Sequence, residues 1–356
     1  MKKSSIKRLR IRYWFHNLDL DTTFYKGSDN KPAAIFIHGL GMDKAIWASP
    51  SSSRILGGSF PLKTLLGKRP SVKYSGLYKD ASKKASSRFS TGEQPDNIQT
   101  LFDDLRLKGH TVITWSQKRP AGPIDSVVPE LEEIVRDANR MTNAGIILIG
   151  HSRGGLIARR HLSLTRDSSI RALVTISTPH KGSSIARIAN YLSPIVPVIE
   201  PLFSTLYKGT LSFTIRRILE FLRSRALKEL LPGSNFLKSL KDGPFDGVYY
   251  ISVGGTNPTL LTFYRWRLDA VRGGKSHRRV LRPDELFSIP DIFEKLIPKD
   301  IYPEEIKKGK GDGLVSAESS RIPWCNEHYN FELNHAAILF DEGIRAMLAK
   351  AIDSIS

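Results

Sequence analysis

Gly145-Ile146-Ile147-Leu148-Ile149-Gly150-His151-Ser152-Arg153-Gly154-Gly155 packs a strand, a sharp turn and a helix start into one short stretch. The run Gly145 to Ile149 reads as a buried strand, and Leu156 to Leu164 has helix-compatible composition. Between them Gly150, Ser152 and Gly154 stand at the spacing of a nucleophile elbow, in the strand-to-helix context that such a turn requires. A serine in so tight a turn has strained dihedrals, and glycine neighbours avoid the clashes a side chain would make. The turn lifts Ser152 Oγ clear of the sheet. The helix N-terminus behind it favours negative charge developing there.

Four more short strands flank this unit. They are Ala33 to Ile37, Thr111 to Trp115, Ala172 to Ile176 and Val248 to Val253. Their nearly continuous apolar runs suit parallel strands covered on both faces. Helices are expected between them. Asp96 is placed to cap one from about Ile98 to Leu107, and Asp125 one through Val127, Leu131, Ile134 and Val135. Ala336 to Ile352 is a last candidate. Strand and helix alternating in series specify an α/β fold with a mainly parallel central sheet and helices on both faces.

Three stretches exceed this plan and read as insertions within a single domain spanning 1–356. Residues 50–92 are rich in Ser, Gly, Lys and Arg. Residues 185–243 combine apolar and basic side chains, with Ile215, Ile218, Leu219 and Leu222 at the spacing of one helix face. The apolar run Tyr191 to Leu206 reads as a surface-packing segment. Residues 256–308 carry Arg265, Arg267, Arg272, Lys275, Arg278, Arg279 and Arg282.

A serine hydroxyl needs a base, and the base needs an orienting carboxylate. In a fold of this kind they follow the nucleophile in the order acid, then histidine. His328 and His335 are the late histidines. His335 stands in Asn334-His335-Ala336, just before the last helix, and is the preferred base; His328 reads as part of a surface turn. Asp312, between Gly311 and Gly313, is the preferred acid, with Asp284 and Asp291 as rivals. His38-Gly39-Leu40-Gly41 follows the first strand. The Leu40 N–H, with Gly41 as second choice, and the Arg153 N–H are the expected oxyanion donors. His38, His151 and His180 read as packing or hydrogen-bonding histidines rather than bases. Gly41, Ile215, Leu219 and Leu222 are expected to line an apolar pocket for an acyl chain.

These residues resemble the α/β-hydrolase superfamily, and within it the bacterial lipases. The likeness is carried by Ile35-Phe36-Ile37-His38-Gly39-Leu40-Gly41, by the Ser152 elbow and by Thr178-Pro179-His180-Lys181-Gly182-Ser183. It extends to Leu231-Pro232-Gly233-Ser234-Asn235-Phe236-Leu237 and to Asp312-Gly313-Leu314-Val315 with Asn334-His335. It implies a serine lipase or carboxylesterase working through an acyl-enzyme, with residues 185–243 in the place of a helical lid. A thioesterase, a phospholipase and an inositol deacylase share that scaffold. Calcium-binding lipases of this type place an aspartate two residues after the histidine. Ala337 stands there, so no metal is expected, and no cofactor.

The composition narrows the classes further. Lys and Arg number 54 against 35 Asp and Glu, a net charge of +19 over 356 residues. That favours polyanionic surroundings. No zinc-finger or RNA-recognition spacing supports nucleic acid, so an ester or lipid substrate is expected, and the basic surface reads either as a peripheral contact with an anionic membrane or as a solubilising coat. The binding alternative is a non-catalytic protein on a retired hydrolase scaffold. The one cysteine, Cys325, excludes an internal disulfide and suits a reducing compartment. The basic start Met1-Lys2-Lys3 has no apolar core behind it, and no apolar run is long enough to span a bilayer. A cytoplasmic protein, peripheral to the membrane at most, is expected.

Overall fold

The strand Ala33–Ile37 is buried at every position, and its side chains alternate between two cores. Ala33, Ile35 and Ile37 face one, Ala34 and Phe36 the other. Ile146 and Leu148 enter the first core while Ile147 and Ile149 enter the second. That is why these segments are apolar throughout: both faces of the sheet are covered.

The computed structural model describes residues 19–55, 60–74, 89–188, 225–240, 242–273, 276–298, 300 and 302–355. In chain order the strands are β1 (Thr22–Tyr25), β2 (Ala33–Ile37), β3 (Arg54–Ile55), β4 (Phe60–Pro61), β5 (Lys73–Tyr74), β6 (Phe89–Ser90) and β7 (Val112–Trp115). They continue as β8 (Ile146–His151), β9 (Ile170–Ile176), β10 (Tyr249–Gly255), β11 (Leu261–Gly273), β12 (Ser276–Ile289) and β13 (Glu327–Phe331). The helices are α1 (Ala45–Ala48), α2 (Leu101–Leu107), α3 (Val128–Asn139), α4 (Arg153–Thr165), α5 (Arg225–Glu229), α6 (Asn235–Ser239), α7 (Asp291–Leu296) and α8 (Glu342–Ile355).

Seven strands form the central sheet in the order β1-β7-β2-β8-β9-β10-β13. All pairs are parallel except β1 with β7. Helices α3 and α4 pack together over one face, and α2 with α8 over the other. This is the α/β sheet that the sequence specifies. A parallel sheet ends all its strands at one side, and the loops leaving β2, β8, β9, β10 and β13 gather there.

Helix boundaries depart from the sequence expectations. Helix α2 starts at Leu101 and is capped by Thr100, whose hydroxyl accepts from Asp103 N; Asp96 is exposed and caps nothing. Asp125 lies in a 3-10 turn, and its carboxylate pairs with Arg160 Nε at 2.7 Å instead of capping α3. The last helix is split: a 3-10 turn covers Ala337–Leu339 and α8 begins at Glu342. His328 is no surface-turn residue. It stands within β13, opposite Ser252 of β10, and is half-buried.

The insertions also meet. Strands β11 and β12 form a long hairpin, and β5 and β6, from the 50–92 region, pair on its two sides in a four-stranded sheet. Most of the 185–243 stretch, with Ile215, Ile218, Leu219, Leu222 and the run Tyr191 to Leu206, lies outside the described residues. Among the described residues, no helix is long and apolar enough to cross a membrane.

Candidate active site

Ser152 sits between β8 and α4 with φ 53° and ψ −125°. Such a backbone costs a non-glycine residue about 1–3 kcal/mol, and packing must enforce it. The Ser152 N–H donates to Ile176 O at 2.8 Å, which ties the turn to the end of β9. Strand and helix also approach too closely for side chains. A Cβ on Gly150 would stand 2.4 Å from Gly155 N. The Ser152 side chain does not cap α4, so its hydroxyl is not spent on the helix start.

Asp312 and His335 come from the loops around β13 and are brought together. The Nδ1–H of His335 donates to Asp312 Oδ2 at 2.9 Å, and the His335 N–H donates to Asp312 O at the same distance. The second carboxylate oxygen accepts from Leu314 N at 3.0 Å and Val315 N at 2.7 Å. Both side chains are buried. A carboxylate can only accept here, so Nδ1 carries a proton, and in the neutral ring Nε2 is the nitrogen free to accept one. The rivals Asp284 and Asp291 are engaged elsewhere, with Arg267 and with Ser288. His328 is likewise absent from this cluster.

His151 joins His335 to the Ser152 turn. Its ring lies 4.7 Å from that of His335, and its Nε2–H donates to His335 O at 3.1 Å. Burial holds His151 far below the usual histidine range, and the neighbouring His335 adds to that. Asn334 anchors the same loop. Its amide donates to Thr259 O at 2.8 Å, and its carbonyl accepts from Ala336 N and Ala337 N.

The loop after β2 lies against the elbow. A Cβ on Gly39 would stand 3.0 Å from Ser152 Cβ and 3.2 Å from His151 Nδ1. This brings the loop carrying Leu40 and Gly41 beside Ser152 and Arg153. Burial pushes His38 down to about 4 and Arg153 down to about 10. His180 is buried too, between Arg159 Nη1 at 3.0 Å and Thr175 Oγ1 at 3.1 Å, and Arg159 grips Asp242 through two bonds. These residues hold the loops; none of them touches His335 or Asp312. The sequence gives no sign of Gln117, which binds both Arg153 and His38. A lone glutamine after a strand carries no motif, and only the packed structure reveals it.

A parallel sheet with a strained serine after β8, and a buried Asp–His pair from the loops around its last strand, defines a class. The chain is an α/β-hydrolase by fold. A family model described as a PGAP1-like alpha/beta domain matches residues 124–200, less than half of the chain but including the elbow. The mature form of the Bacillus licheniformis lipase BlEst2 is similar, with a TM-score of 0.50 at 14% identity over 93% of this chain and 98% of that one. A Paleococcus ferrophilus monoacylglycerol lipase is more distantly similar, with a TM-score of 0.41 at 14% identity over 95% of this chain and all (100%) of the other. The sequence matches none of the curated proteins with which it was compared.

Proposed function

We propose that this protein is a serine hydrolase of carboxylic esters. The observation that carries the reading is the strained Ser152 turn linked through His151 to the buried Asp312–His335 pair. In this reading His335 Nε2 takes the Ser152 proton as Oγ attacks the ester carbonyl. Asp312 holds the tautomer and stabilises the imidazolium. The N–H groups of Leu40 and Arg153 receive the tetrahedral oxyanion. His335 then protonates the leaving alcohol, and water releases the acyl group from Ser152 by the same steps in reverse. The lipase name of BlEst2 agrees with this chemistry.

The test is hydrolysis of p-nitrophenyl esters from acetate to palmitate, with Ser152→Ala in parallel. Loss of activity in the variant is expected, and the preferred chain length separates an esterase from a lipase. Equal rates in both proteins would refute the serine mechanism. The charge of +19 supports work at an anionic membrane surface, at about 1 kcal/mol per basic residue near the headgroups. Co-sedimentation with vesicles that ignores both anionic lipid and salt would sink that part.

A further inference from the structure

Arg153 follows the elbow serine, and its side chain is fully buried. A guanidinium is costly to bury unless its donors find partners. Here Nη1 donates to Gln117 Oε1 at 3.0 Å and to Pro120 O at 3.3 Å, and Nη2 donates to Gly122 O at 2.5 Å. Gln117 passes the constraint on. Its Nε2 donates to His38 O at 3.0 Å, and its backbone N–H donates to His38 Nε2 at 3.1 Å. That second bond fixes the His38 tautomer, because the accepting nitrogen bears no proton. His38 Nδ1 therefore carries the hydrogen and donates to Gly39 O at 2.9 Å.

The Gly39 carbonyl and the Leu40 N–H belong to one planar trans peptide, so they point in opposite directions. Pinning the oxygen aims the hydrogen. The same residue that supplies one expected oxyanion donor from its backbone thus steers the other through its side chain. We propose that the Arg153 guanidinium, acting through Gln117 and His38, is a positioning device that aims the Leu40 N–H at the oxyanion. The proposal rests on the serine-esterase reading above. It separates two roles that sequence alone merges at Arg153: a backbone donor that any residue there supplies, and a side-chain clamp that few would.

The clamp predicts a loss confined to the transition state. Gln117→Leu removes the side-chain bonds that tie Arg153 to His38 O, keeps the backbone N–H on His38 Nε2, and leaves Ser152, Asp312 and His335 in place. Its kcat on a p-nitrophenyl ester should fall about 10- to 100-fold, with KM within about threefold of wild type. Affinity for a trifluoromethyl ketone, whose adduct places an oxyanion in the same position, should fall by a similar factor. His38→Phe keeps the ring and removes the last donor, so it should behave alike. His38→Asn, which restores a donor near the Nδ1 position, should recover part of the lost rate. Unchanged kcat and ketone affinity in a folded Gln117→Leu or His38→Phe protein would overturn the proposal. So would a loss that appears in KM alone, or a His38→Asn protein no better than His38→Phe. If Ser152→Ala is as active as wild type, the esterase reading falls and takes the clamp with it. That outcome is distinct from an active, serine-dependent enzyme indifferent to Gln117.

Discussion

Asp312 accepts four bonds, two from His335 and two from the peptide groups of Leu314 and Val315. Asp312→Asn should keep this loop folded while favouring the wrong imidazole tautomer, and cut kcat by about 10⁴. Steady-state rates beside an unchanged circular dichroism spectrum check it, and a loss below tenfold would point to another acid. Arg159 and Asp242 form a second buried pair, with two contacts of 2.8 and 2.7 Å. Arg159→Met should cost about 3–5 kcal/mol, because Asp242 is left charged and unpaired; urea unfolding reads it. The Ser152 turn and the Asp312–His335 contact were legible at this scale because residue type and chain order restrict where such groups can fall. Gln117 was not, since its role comes from partners distant in sequence and not from its own type.

Elements were legible where local pattern and burial agree. The strands Ala33–Ile37, Val112–Trp115 and Ile170–Ile176 stand within a few residues of expectation because both faces are buried. Helix starts were less so, because several polar residues near α2 can cap and geometry selects one. Thr100 wins: its hydroxyl also donates to Trp47 O at 2.7 Å. Thr100→Ala should cost about 1 kcal/mol or more, while Asp96→Ala stays within about 0.5 kcal/mol. Comparing the two denaturation midpoints decides between the caps. The β11–β12 hairpin escaped the reading although its signal exists. Leu261 to Arg272 alternates over much of its length, and Gly273-Gly274 marks a turn. Its pairing with β5 and β6 joins segments far apart in the chain, which no local pattern encodes.

Across the whole molecule, buried neutral histidines set the response to acid. His38 is pushed to about 4, and His151 and His180 lie well below their ordinary value, each chiefly by burial. Between about pH 6.5 and 4 the unfolded chain binds protons that the native protein refuses. Stability from these groups is therefore complete above about 6.5 and is lost as pH falls. His38 alone accounts for about 3 kcal/mol across that window. The melting temperature should drop steeply from pH 6.5 towards 4, and a plateau through pH 5 would contradict it. Above that window these histidines contribute no slope. The class of the fold was legible at this scale too, whereas the joining of two insertions into one sheet was not.

The outer strands of the central sheet are short. β1 has four residues and β13 five. On β13 the Glu327 carboxylate accepts the hydroxyls of Tyr249 at 2.6 Å and Tyr329 at 2.5 Å, which hold it below the usual carboxylate range. A fixed anion on a short rim strand deters another copy from zipping its own strand alongside. At low ionic strength, mutual repulsion between molecules of charge +19 keeps copies apart before the rim matters. In high salt that repulsion is screened, and the cost of desolvating the rim carboxylate becomes the guard that remains against aggregation. Glu327→Gln should then scatter light sooner than wild type in concentrated saline stocks, while the two behave alike in dilute buffer.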